Sequence, residues 1–333
     1  MSVNEIQQQL FSEIKRKIGE SSSAADEVAQ LLDISSDSAY RRMRGEKTIS
    51  LDELQLLCVH YKISLDQLLG LQDGTFRFEG RIVDSKKYTF EEYLTSMVHV
   101  MTYFNSFKKK EFYYSCKDMP IFHHFHFREI AAFKRFFWLK TYIQSPELLQ
   151  KKFRYTDYPE EVFQLEQKVL LLYNQLPSIE IWNIESMNIF FRQVEFYRDA
   201  NIFESDADVI ILLETLEKLW DHLEKQAAKG YKFDANDPEQ KPKGEFKMYF
   251  NEVLLGDNSQ LIILDGVKVS SMTHSTFNYM MTRDMNFTEN MYNHFQNQMK
   301  RSTLISEVSE KERARFFRIV RDRISKRKEA FKA

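Results

Sequence analysis

Apolar residues recur at every fourth position near the start of the chain. Ile6, Leu10, Ile14 and Ile18, with Phe11 alongside, predict one buried stripe on an amphipathic helix over residues 4–18. A second apolar cluster at Val28, Ala29, Leu31 and Leu32 predicts a short helix that stops at Asp33-Ile34-Ser35. A third segment runs from Ser36 to Arg44 and ends at Gly45, a residue suited to the left-handed position beyond a helix. Ser50-Leu-Asp-Glu53 and Ser64-Leu-Asp-Gln67 place a hydroxyl three residues before a carboxylate or amide, the spacing of a capping box. Each predicts a helix start, with Leu54, Leu57 and Cys58, then Leu65, Leu68 and Leu69, turned inward. Residues 1–70 therefore read as five short helices.

Beyond residues 71–74, a linker marked by Gly70 and Gly74, the period of 3.6 dominates. It predicts helices near residues 89–107, 127–144, 159–176, 185–200, 206–229, 275–283, 288–300 and 307–329, most clearly in the stripe Leu212, Leu216, Leu219, Leu223 with Trp220. The polar stretch 229–245, with Pro238 and Pro242, reads as a surface loop. Residues 246–270 differ in kind, because β-rich runs are separated by Gly-Asp-Asn-Ser and by Asp265-Gly266, a strong hairpin cue. The expected fold is mainly α, with a five-helix N-terminal domain and a large, mostly helical domain over 75–333 that carries a small antiparallel β-meander.

Composition sharpens this picture mainly by exclusion. Nine Gly and six Pro in 333 residues lie well below average usage and favour long helices over tight loops. No glycine-rich phosphate-binding motif is present. The first residues lack the basic flank and apolar core of a leader, and no run approaches eighteen apolar residues, so a cytoplasmic protein without a membrane span is expected. Two cysteines, Cys58 and Cys116, suit a reducing compartment. The net charge of −2 is unevenly spread: residues 1–70 hold eight Lys and Arg against eleven Asp and Glu, whereas residues 310–333 hold ten against four.

Two helices joined by a four-residue turn, over residues 28–45, form the unit that lays its second helix in a DNA major groove. The run Val28-Ala29, Leu31-Leu32, Ile34-Ser35, Gly45, Ser50-Leu51, Leu54 and Ile63-Ser-Leu-Asp-Gln-Leu-Leu69 resembles the lambda-repressor-like (XRE-family) helix-turn-helix over residues 4–70. The resemblance implies that Ser36, Asp37, Tyr40 and Arg41 face base edges. It implies that Arg42, Arg44 and Lys47 meet phosphates at the end of the recognition helix and in the following loop. Arginine suits both tasks, because its planar fork pairs with guanine edges or phosphate oxygens. Ala39 and Met43 are expected to face inward.

Other chemistry is weaker. Cys116, His123, His124 and His126 are metal-ligating types, but on an extended strand His124 and His126 share a face while His123 points away, so no metal is expected. Phe133, Phe136, Phe137 and Trp138 read as core. The basic C-terminal helix, with Phe316, Phe317, Val320 and Ile324 on one side, reads as an amphipathic packing helix, with a DNA-backbone contact as the competing account. No nucleophile motif is found, so neither catalysis nor a cofactor is expected. The sequence thus predicts a transcriptional regulator whose partners are double-stranded DNA, a second copy in a homodimer, and a small-molecule or peptide effector. A peptide-pheromone receptor regulator and an enzyme carrying a DNA-binding arm are the competing readings.

Overall fold

A computed structural model describes residues 3–18, 23–70, 76–80, 89–253, 256–275 and 278–332. The chain divides into two compact units, Met1–Phe76 and Arg77–Ala333. The expected linker, 71–74, lies outside the described residues.

The first unit is a bundle of α1 (Val3–Ile18), α2 (Ala24–Leu32), α3 (Ser36–Met43), α4 (Leu51–His60) and α5 (Leu65–Leu69). Leu10, Ile14, Val28, Ala39 and Leu57 are fully buried and form its centre. Local chemistry sets the helix ends. Asp33 adopts φ 53°, ψ 51°, which ends α2 in the left-handed region without a glycine. Ser35 caps α3 by accepting the Ser38 amide, and Ser50 and Glu53 form the reciprocal box that starts α4.

The second unit corrects the expected fold class. Its centre is an eight-stranded mixed sheet in the order β1 (Glu79–Gly80), β7 (Asn278–Thr282), β6 (Val267–Ser275), β5 (Ser259–Leu264), β2 (Lys110–Cys116), β3 (Ser178–Trp182), β4 (Phe246–Phe250), β8 (Thr303–Leu304). The predicted meander is therefore a fragment of something larger. The β5–β6 hairpin is present, with Leu264 opposite Val267 and positive φ at both Asp265 and Gly266. β4, however, does not pair with β5. Strands β2 and β3 lie between them, and β2, β3 and β4 run parallel. The predicted helix 275–283 also fails, because Ser275 ends β6 and Asn278–Thr282 form β7, which pair antiparallel. Thr and Tyr along this stretch fit a pleated surface better than a helix.

Parallel neighbours need long crossovers, and helices supply them. Between β2 and β3 run α7 (Ile121–His124), α8 (Arg128–Phe137), a π-helical turn (Trp138–Ile143) and α9 (Glu160–Gln175). Between β3 and β4 run α10 (Asn188–Asp199) and α11 (Asp206–Lys229). These helices, with α6 (Phe90–Asn105) and α13 (Glu310–Lys332), share one aromatic core with Phe112, Tyr114 and Trp182 of the sheet. α12 (Met285–Lys300) packs on the opposite face, where Phe295 meets Tyr113 at 5.6 Å between ring centres.

The C-terminal helix is anchored on both its apolar and its basic sides. Phe316, Phe317, Val320 and Ile324 are fully buried, and the two phenylalanines lie 5.5 and 4.9 Å from Trp220. Arg321 reaches Asp221 and Glu224, Arg323 reaches Glu185, Arg327 reaches Glu195, and Lys328 reaches Glu217. Much of its positive charge is matched within the fold. Among the described residues, no helix is long and apolar enough to cross a membrane.

Candidate DNA-binding face

Helix α3 buries Ala39 and keeps Met43 partly covered, so the opposite side must face outward. Ser36, Asp37, Tyr40, Arg41 and Arg44 are exposed there, and Lys47 is exposed in the loop beyond. Tyr40 leaves 49% of its surface open. Ser36 donates its hydroxyl to Asp26 at 2.7 Å, tying the start of α3 to α2, and this bond holds the Asp26 carboxyl below its ordinary range. Asp37, Tyr40 and Lys47 make no side-chain hydrogen bond or ion pair with another described residue. Glu46 approaches Arg44 at 3.0 Å and Arg41 at 3.9 Å. Exposed pairs of this kind are weak, so both guanidinium groups can exchange Glu46 for a phosphate or base edge.

Arg42 does not join this face. It is 5% exposed, its guanidinium grips both oxygens of Glu53 at 2.7 and 3.2 Å, and it donates to the Ser38 carbonyl at 3.2 Å. Arg42 is a clamp between α3 and α4, and the same Glu53 oxygen that accepts its Nε also accepts the Ser50 amide. The pair draws the Glu53 carboxyl below its usual range against the opposing effect of burial.

Gln7, which the sequence pattern did not single out, completes the support. Buried on α1, it donates to the carbonyls of Arg42 and Lys47, both at 2.7 Å, and accepts the Ile49 amide at 3.1 Å. One side chain thereby fixes the loop that carries Arg44 and Lys47. Its signal was a polar residue beside the apolar stripe of α1, indistinguishable in sequence from a solvated one.

Arg42→Ala is expected to lower the stability of the first unit by about 2–3 kcal/mol, since it leaves Glu53 without its partner at a largely covered site. Hydrogen exchange of the α3 and α4 amides in the full chain reads this directly. Unchanged protection in both helices would show that the clamp contributes nothing.

The second unit holds a different concentration of polar groups, entirely inside. Glu180, on β3, faces the core and receives His123 Nε2 at 2.9 Å, the Tyr173 hydroxyl and Trp182 Nε1 at 2.7 Å. Burial pushes the Glu180 carboxyl upward, but His123 and Tyr173 outweigh it and bring it below the usual value. Lys232 lies 3.7 Å from the Tyr173 ring centre and donates to the Tyr173 carbonyl at 2.8 Å; burial drives it down to about 7, with Glu180 pulling the other way. His126 stacks on His123 with 5.8 Å between ring centres and lies tilted against His222 at 4.5 Å.

Cys116 ends β2, while His123 and His124 occupy the short helix α7 rather than an extended strand. Among the described residues, no group of three or more His, Cys, Asp or Glu is placed to hold a metal ion. An open groove of about 330 Å³ lies between the π-helical turn and α10, lined by Phe137, Tyr142, Ile189, Arg192 and Phe196 among others. It lies away from the 246–270 region.

Neither the curated proteins nor the solved structures contain a match to this chain. Residues 3–76, the span that presents α3 and its supports, match the family model of the BetR domain, a helix-turn-helix-type DNA-binding domain.

Proposed function

We propose that the chain is a sequence-specific transcriptional regulator of the lambda-repressor-like (XRE) kind, which reads double-stranded DNA with the outward side of α3. The observation that carries this reading is the set of exposed polar and aromatic side chains on α3 within a BetR-matching unit. Asp37, Tyr40 and Arg41 sit on its exposed side, while Arg42, Glu53 and Gln7 are spent on holding that side in place. The second unit serves as a dimerisation or effector-binding domain rather than as a catalyst. A homodimer places two copies of α3 on half-sites one helical turn apart, and an effector acts by favouring one arrangement of the pair.

Recovery of DNA bound by the full chain tests the reading, with an enriched palindrome as the expected result. On that operator, Arg41→Ala should relax sequence preference, because base contacts specify. Lys47→Ala should weaken operator and scrambled DNA alike and reduce the salt slope by about one. Binding of neither DNA at low salt by the unmodified chain would overturn the proposal.

A further inference from the structure

The α3 face carries a carboxylate where a polyanion must approach. Asp37 is exposed in the first turn of the helix and, among the described residues, no cation neutralises it. Nearby Arg41 and Arg44 are engaged instead with Glu46. An unpaired carboxylate cannot be turned toward phosphate without repulsion, nor toward the acceptor-only edges of guanine and thymine.

Only two base edges in the major groove offer a donor. Adenine presents its N6 amine beside the N7 acceptor, so a carboxylate that takes the first is repelled by the second. Cytosine presents its N4 amine beside a carbon and imposes no such penalty. Arg41 follows Asp37 by four residues, one helical turn further along the same side, about 6 Å on. That distance spans roughly two base-pair steps at 3.4 Å per strand step, so the two side chains address neighbouring pairs. A guanidinium fork there fits the O6 and N7 acceptors of guanine.

Resting on the DNA-reading role proposed above, we propose that Asp37 is a specificity-determining residue that selects cytosine through its N4 amine, within about two base pairs of a guanine read by Arg41. The competing account gives Asp37 only a structural part, as a negative charge near the positive end of α3. The two accounts differ in what an amide does at this position. Asparagine keeps the size and loses the charge, and its paired donor and acceptor match adenine N7 and N6.

The test is selection from randomised duplex DNA by the full chain, comparing the unmodified protein with Asp37→Asn and Asp37→Ala. The unmodified protein should enrich a motif with a cytosine column next to or one removed from a guanine column. Asp37→Asn should convert that cytosine column to adenine, with a preference change on the order of ten-fold, and leave the guanine column intact. Asp37→Ala should erase the preference at that position alone. A motif whose cytosine column survives both substitutions overturns the assignment, even if thermal stability falls. A motif lost at every position in Asp37→Ala, with α3 amide protection also lost, assigns Asp37 to structure and likewise overturns it. If the unmodified chain selects no motif, the DNA-reading role itself fails, and that outcome is distinct from the other two.

Discussion

Acidification from pH 6.5 toward 4.5 is expected to destabilise the second unit by roughly 2–4 kcal/mol per pH unit. The cause is a set of deeply buried imidazoles. His124 and His126 have both ring nitrogens unbonded among the described residues, and burial holds both well below the ordinary 6.5. Burial brings His222 down to about 4 in the same way. In this window the unfolded chain binds their protons and the folded chain does not, so stability is present above 6.5 and lost as pH falls. Each group contributes about 1.4 kcal/mol per unit. Two carboxyls, Glu166 buried and Asp118 half-buried, act in the other direction. Burial raises Glu166 and Asp118, so the folded chain takes their protons first and recovers part of the loss. Lys232, at about 7, is protonated in both states below that value and does not enter. All three tryptophans, Trp138, Trp182 and Trp220, lie in the second unit, so tryptophan fluorescence during heating follows this unit specifically. A midpoint that stays level from pH 7 to 5 would contradict the buried neutral state of these histidines.

Glu180→Ala is expected to cost about 3–5 kcal/mol, the usual penalty for removing one member of a buried pair. His123, Tyr173 and Trp182 would each lose the acceptor they now share, and all three are fully buried. For a unit of this size the tryptophan-detected midpoint should drop by roughly 6–20 °C. Glu180→Gln, which keeps one acceptor oxygen, should recover part of the loss. Equal midpoints for the alanine variant and the unmodified chain would show that the network is energetically idle.

These two networks also mark where the sequence stopped being legible. The reader helices follow from local signals, namely the stripe of α1, the left-handed Asp33 and the Ser50–Glu53 box. Arg42 was misplaced because its role depends on Glu53, a residue whose local pattern announced only a helix cap. The central strands were lost for a related reason. Ser178-Ile-Glu-Ile-Trp182 alternates correctly, but the pattern assigns Glu180 to solvent, whereas its partners on α7 and α9 draw it into the core. Five residues with a charge at the centre carry little period-two signal against the longer helical stripes on either side. The β5–β6 hairpin was readable because its register is set by two adjacent residues. The β4 pairing was not, because its neighbour β3 lies across two helices.

The same strand order sets a timetable for synthesis. The first unit draws its core from residues 10–68 and can close as soon as they leave the ribosome. β2 cannot. Its parallel partner is made only after α9, and its antiparallel partner, with Lys110 opposite Leu264, only after α10, α11 and β4. Phe112 and Tyr114 must wait with both strand edges open until β3 is made and with one edge open until β5 is made, a delay that slows folding and invites association with other nascent chains. Chains arrested before residue 259 should therefore hold a finished reader beside an unfinished, chaperone-dependent second unit.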